Sequence, residues 1–308
     1  MRKKVTVFGG GNVGATAALY ISEMGVADVT VVDIVEGMPQ GKSLDLMQSR
    51  SVRGFDSTVT GSNDFQDVRG SDIVVLTAGF PRKPGMSRTD LLRANADIVK
   101  TAAEAIREHA PNAFVVVVTN PLDVMTYEAW HVTGFPRERV LGMAGVLDAT
   151  RFRCFIAMEL GVSPNDVQAM VLGGHGDSMV PLPRYATVSG IALPDLLPKE
   201  TIDRLVKRTR DGGAEIVALL KTGSAYYAPA ASVASMVKAI LLDEKRLLPA
   251  AVHLNGQYGM KDLFIGVPII LGEAGVEKIV ELKLAPDELA ALQASGKAVL
   301  EGIRELHP

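Results

Sequence analysis

Cysteine is nearly absent from this 308-residue chain; Cys154 is the only one. It can form no intrachain disulfide and support no cysteine-based zinc site, which fits a reducing compartment. No apolar run approaches the ~18 residues that would suggest a membrane helix. After the basic start Met1-Arg2-Lys3-Lys4, the apolar stretch from Val5 to Phe8 is too short for a signal-peptide core, so the cytoplasm is expected. Any excess of one charge over the other is small too. The net charge is −3 and the cations are dispersed, which argues against nucleic acid and membrane surfaces as partners. There are no repeats, low-complexity tracts or long linkers. What remains is a composition with 47% hydrophobic and 22% charged residues, too apolar for a disordered chain. Its length suits two domains of about 150 residues each.

The first half alternates between strand and helix patterns. Val5-Thr6-Val7-Phe8, Val29-Thr30-Val31-Val32 and the runs 72–77 and 114–119 are apolar on both faces, as strands of a parallel sheet covered by helices must be. Residues 12–24 and 87–110 read as helices, the second stopped by Pro111. The pattern predicts a doubly wound α/β domain. Beyond Gly142 a helix is expected over 147–160, a strand over 167–172 and then mainly helices, with a strand at 264–271 and a C-terminal helix over 286–306. This predicts two domains, 1–143 with the parallel sheet and 144–308 of α+β type.

Gly9-Gly10-Gly11-Asn12-Val13-Gly14 is a G-x-G-x-x-G placed between a strand and a helix. Gly9 permits the tight turn, Gly11 the approach of a pyrophosphate, and Gly14 close helix–strand packing. The pyrophosphate then lies on the positive helix end. Asp33, closing the next strand, can accept both ribose hydroxyls and would repel a 2′-phosphate. NAD rather than NADP is therefore the expected cofactor.

His175 lies in Gly173-Gly174-His175-Gly176-Asp177, at a strand end among glycines, where an imidazole can face a cleft and move a proton. Taken alone, such a histidine is as readily structural as catalytic. Asp148 and Arg151, one helical turn apart, can hold an imidazole and grip a carboxylate, or form an ordinary surface ion pair. The segment 79–90 follows a strand at its carboxyl end and carries Arg82 and Arg88. It reads as a lid bringing arginines to an anion, or as an exposed basic turn. Asn120 reaches the same cleft or is a turn residue.

These residues resemble the lactate/malate dehydrogenase superfamily, and are most similar to its lactate-dehydrogenase-like branch from bacteria and archaea. The likeness runs through Gly9 to Gly14, Asp33, Pro81-Arg82-Lys83-Pro84-Gly85-Met86-Ser87-Arg88, Thr119-Asn120-Pro121, Leu147 to Arg151, Gly173 to Asp177 and Gly223 to Pro229. It implies an NAD-binding Rossmann domain followed by a substrate domain, and reversible oxidation of (S)-malate to oxaloacetate. By this resemblance His175 is the proton acceptor, supported by Asp148. Arg151 binds the carboxylate beside the reacting carbon, Arg88 polarises the carbonyl, and Asn120 touches substrate. Cofactor contacts fall on Gly9, Gly10, Gly11, Asn12, Val13, Gly14, Asp33, Asn95, Val118, Thr119 and Asn120. Arg82 stands at the specificity position, answering a second carboxylate. A homodimer or homotetramer is implied, and no metal.

Three rivals remain. A lactate or other 2-hydroxy-acid dehydrogenase would leave Arg82 desolvated and unpaired. An NAD-requiring glycosidase needs a cysteine–histidine metal site, and Cys154 has no adjacent histidine. A catalytically silent NAD-binding module would have no use for the set of His175, Asp148 and arginines.

Overall fold

Strands and helices alternate along the first half as β1 (Lys3–Phe8), α1 (Asn12–Glu23), β2 (Ala27–Val32), α2 (Met38–Arg53), β3 (Val59–Ser62), β4 (Ile73–Leu76), α3 (Arg88–His109), β5 (Phe114–Val117), α4 (Leu122–Thr133) and β6 (Val140–Gly142). The computed structural model describes residues 2–80 and 88–307, and of Arg88 the backbone only. The six strands are parallel, in the order β3-β2-β1-β4-β5-β6. Strand order reverses between β1 and β4, which opens a crevice at their carboxyl ends where ligands of such sheets bind. Every residue of β4 is buried, as its unbroken Ile-Val-Val-Leu run requires. In α3 the buried apolar residues Leu92, Ala96, Val99, Ala102, Ala103 and Ile106 form one helical face laid on the sheet.

The second half begins with α5 (Gly145–Leu160). Short strands β7 (Val167–Gln168), β8 (Val171–Leu172), β9 (Val180–Pro181), β10 (Thr187–Val188) and β11 (Ile191–Ala192) follow. Then come α6 (Leu193–Leu196), α7 (Lys199–Leu220), α8 (Tyr227–Leu241), β12 (Arg246–Asn255), β13 (Lys261–Gly272), β14 (Gly275–Ile279) and α9 (Pro286–Leu306). The strand expected over 167–172 is in fact two. β7 joins β10 and β11, whereas β8 pairs with β9, so the chain changes sheets between Gln168 and Val171.

The larger difference is β12. It pairs along its length with β13, and through Ala251 opposite Gly142 it extends the parallel sheet by three antiparallel strands. Its Pro249 argues against a strand interior when read in sequence. In the fold Pro249 lies directly opposite Pro268 of β13, whose carbonyl accepts from Val280 N–H on the far side, so this pair is one at which the β12–β13 ladder needs no donor. One apolar core underlies the nine strands, and a smaller one built on Phe152, Ile156, Val167, Val188 and Leu205 lies among α5, α7 and the three-stranded sheet.

Candidate active site

The glycine-rich loop leaves β1 at the crevice. Gly9 has φ +99°, a conformation that glycine adopts without strain. A Cβ at Gly14 would run into the Gly9 carbonyl oxygen, so loop and helix touch backbone to backbone. A Cβ at Gly11 would meet nothing within 4 Å, leaving the start of α1 open to an approaching group. Asp33, at the end of β2, accepts hydrogen bonds from the amides of Gly10 (2.7 Å) and Val35 (2.9 Å), which fixes its carboxylate beside the loop. A bare helix end flanked by a fixed carboxylate suits a pyrophosphate joined to an unphosphorylated ribose, as in NAD. Lys42, on the polar helix α2, gave no signal in the sequence. Its Nζ donates to the Gly10 carbonyl (2.7 Å) and holds the same peptide from its other end.

From this geometry NADH should bind at least about tenfold more tightly than NADPH, the effect of about 1.4 kcal/mol of repulsion between the Asp33 carboxylate and a 2′-phosphate. Fluorescence titration checks this, and Asp33→Ser should narrow the gap. Equal affinities in the unmodified protein would remove Asp33 from cofactor selection.

Asn95, Val118, Thr119 and Asn120 meet where β4 and β5 end. The Asn95 side chain is buried and bonded to backbone throughout: Oδ1 accepts from Phe80 N–H (2.8 Å), and Nδ2 donates to the carbonyls of Asn120 (2.7 Å) and Phe80 (3.1 Å). Thr119 Oγ1 donates to the carbonyls of Ala78 (2.7 Å) and Leu76 (3.2 Å). Both side chains therefore brace the strand ends instead of presenting unengaged groups. Asn120 is exposed and lines a cleft of about 460 Å³ with Leu91, Asp123, His175, Asp177 and Val299.

His175 enters that cleft from the loop between β8 and β9. Gly173 at the head of the loop exchanges two backbone hydrogen bonds with Gly266 of β13, which ties the loop to the extended sheet. The imidazole Nδ1 lies 2.9 Å from Oδ2 of Asp148, whose side chain is only 2% exposed. The other oxygen, Oδ1, accepts from Arg151 Nη1 at 3.1 Å. One buried carboxylate thus holds both an imidazole and a guanidinium, and the alternative of a surface ion pair is excluded. With Nδ1 facing a carboxylate, the ring carries its proton there and Nε2 is the nitrogen left for a ligand. Burial acts to lower the His175 pKa, but the charge and hydrogen bond of Asp148 outweigh it, and the value lies above the ordinary one.

Arg151 is packed beside Gly212 and Gly213 of α7, where a Cβ at Gly213 would lie 3.6 Å from Nη2. Its Nε is buried without a hydrogen-bond partner among the described residues. A buried guanidinium with a donor to spare suits a carboxylate ligand. Arg82 and the segment 81–87 lie outside the described residues, as does the Arg88 side chain, so the expected lid and its arginines have no structural account here. Sequence reasoning also passed over Asp123 and Ser295, which contact the His175 loop. The only cue for Asp123 was its position just after Asn120-Pro121.

Residues 3–142 match the family model for the lactate/malate dehydrogenase NAD-binding domain, and residues 145–307 that for the α/β C-terminal domain. A malate dehydrogenase of Synechocystis sp. is 57% identical over 296 residues, 96% of this chain and 91% of that protein. The malate dehydrogenase of Salinibacter ruber superposes with a TM-score of 0.95 at 51% identity, covering 99% of this chain and 97% of the other. The lactate dehydrogenase of Cryptosporidium parvum, complexed with lactic acid and nicotinamide adenine dinucleotide, gives 0.96 at 43% identity over 100% and 98% of the two chains.

Proposed function

The chain belongs to the lactate/malate dehydrogenase family, and we propose on that footing that it catalyses the reversible, NAD-dependent oxidation of (S)-malate to oxaloacetate. The observation that carries the reading is the shared Asp148 carboxylate, which places a proton carrier and an anion holder side by side in the cleft. Nε2 of His175 accepts the hydroxyl proton as malate is oxidised and returns it to the carbonyl oxygen as oxaloacetate is reduced. Asp148 keeps the ring in the required tautomer and stabilises the imidazolium. Arg151 binds the carboxylate next to the reacting carbon. Arg88 is assigned to polarising the carbonyl and Arg82 to the second carboxylate, both from the sequence. The Gly9–Gly14 loop and Asp33 would hold NAD, which would supply the hydride acceptor for oxidation and, as NADH, the donor for reduction. In this reading residues 1–143 serve the cofactor and 144–308 the substrate. The reading places the enzyme in the cytoplasm as a homodimer or homotetramer. Exposed apolar side chains at Ile34, Val35, Leu44 and Val52 along α2 and its approach support self-association.

The deciding experiment is steady-state kinetics with oxaloacetate and pyruvate, each with NADH and NADPH. Efficient use of oxaloacetate with NADH is expected. A clear preference for pyruvate would overturn the assignment. The sign of the pH dependence follows from His175. Reduction uses the imidazolium, so kcat/KM for oxaloacetate should hold below the raised pKa and fall tenfold per pH unit above it. Oxidation of malate needs the neutral ring and should show the opposite limb. A flat profile for both directions would remove His175 as the proton carrier.

A further inference from the structure

The loop carrying His175 has little regular structure of its own. Gly173 and Gly176 both have positive φ, +88° and +126°, and the ladder stops at Gly173. Two successive amides beyond it donate to side chains from distant elements. Gly174 N–H donates to Ser295 Oγ of α9 (2.8 Å), and His175 N–H donates to Asp123 Oδ2 of α4 (2.8 Å). Ser295 Oγ in turn donates to Ser178 Oγ (3.0 Å). A Cβ at Gly174 would lie 3.2 Å from Asp123 Oδ2, so the carboxylate packs directly on the loop.

Asp123 is unusual for an acidic residue in the first turn of a helix. Such residues ordinarily complement the helix dipole while remaining in water. Asp123 is 5% exposed, and its second oxygen, Oδ1, is buried without a partner among the described residues. Burying a carboxylate with so few hydrogen bonds is costly, and an asparagine would supply the same acceptor without a charge. Its negative charge, however, acts on the imidazole.

We propose that Asp123 is a second positioning carboxylate for the reaction: it fixes the backbone of His175 while Asp148 fixes the ring, and its charge adds to that of Asp148 in favouring the imidazolium. This rests on His175 being the proton carrier. The charged groups acting on the ring are Asp148 and Arg151 from α5 and Asp123 from α4, with Asp177 of the same loop also lining the cleft. The influence is mutual. Burial pushes the Asp123 pKa up to about 6, with Asp148 adding to the rise while the His175 amide and ring oppose it.

The test compares Asp123→Asn, Asp123→Ala and Ser295→Ala. Asp123→Asn keeps the shape and an acceptor for the His175 amide but removes the charge. It should move the alkaline limb of oxaloacetate reduction to lower pH, and shift the His175 C2–H NMR titration of the substrate-free protein the same way. Asp123→Ala should in addition lower kcat by on the order of ten- to a hundredfold, as the imidazole loses its placement, with NADH binding retained. Ser295→Ala loosens the loop without changing charge and should leave the pH limb in place. An unmoved limb and an unmoved NMR titration in Asp123→Asn would overturn the proposal. Failure of the unmodified protein to reduce oxaloacetate would instead overturn the proposed function, and the NMR titration would still decide the role of Asp123.

Discussion

Replacing His175 with asparagine should reduce kcat for oxaloacetate by about a hundred- to ten-thousandfold, the contribution expected of a placed general acid, while NADH still binds. The geometry gives the reason. Nδ1 is occupied by Asp148, leaving one ring nitrogen to exchange a proton with substrate, and no other histidine shares the cleft among the described residues. Asparagine can donate a hydrogen bond from a similar place but does not change protonation state near neutral pH. NADH binding is assigned in our proposal to the glycine-rich loop and Asp33, at the ends of other strands. Stopped-flow measurement of NADH oxidation, with fluorescence titration of NADH, separates the two effects. A variant retaining more than about a tenth of normal turnover would be incompatible with acid catalysis of this size.

Arg82→Gln should reverse much of the discrimination between oxaloacetate and pyruvate. The two substrates differ by one carboxylate, so selecting the larger requires a cation at that end of the site. Arg151 is engaged by Asp148 and assigned to the carboxylate common to both, and Arg88 is assigned to the reacting oxygen, which leaves Arg82. Removing one partner of a desolvated arginine–carboxylate pair costs about 2–5 kcal/mol. That corresponds to about 30- to several-thousandfold in specificity. The variant should lose most oxaloacetate activity and gain some with pyruvate, for which an unpaired arginine is no longer desolvated. An unchanged ratio of kcat/KM for the two substrates would show that another residue makes the choice.

Much of the fold was legible because burial leaves a plain mark. β4 and β5 read as unbroken apolar runs, Val5–Phe8 of β1 and Val29–Val32 of β2 as runs broken only by a threonine, and α9 spans the expected Pro286–Leu306. The elements passed over are those whose residues answer to neighbours instead of to periodicity. β3 is a four-residue Val-Thr-Gly-Ser edge, and its Gly61 is required only because Pro39 of α2 presses against it. β12 contains a proline that becomes acceptable because it falls at a pair where the ladder with β13 needs no donor. The site divides in the same way. Gly9 to Gly14, Asp33, Asp148, Arg151 and His175 stand in local settings that suggest their chemistry. Asn95 and Thr119 stand near the cofactor crevice as expected, but as internal braces. Asp123 resembles any acidic residue near a helix start until burial and the His175 amide set it apart.

The single carboxylate of Asp148, shared by His175 and Arg151, also bears on handedness. A 2-hydroxy acid is chiral at the reacting carbon, and telling its mirror images apart requires three fixed directions around that atom. Asp148 sets two of them at once, since the group proposed to receive the hydroxyl and the group proposed to receive the carboxylate are bonded to its two oxygens. The third would be the side on which the cofactor offers its hydride acceptor. With hydroxyl and carboxylate both in place, only one enantiomer turns its C2 hydrogen toward that side; the other presents its CH2COO⁻ arm. One buried side chain thus supplies two of the three directions on which stereochemical choice depends, by the way it joins two others.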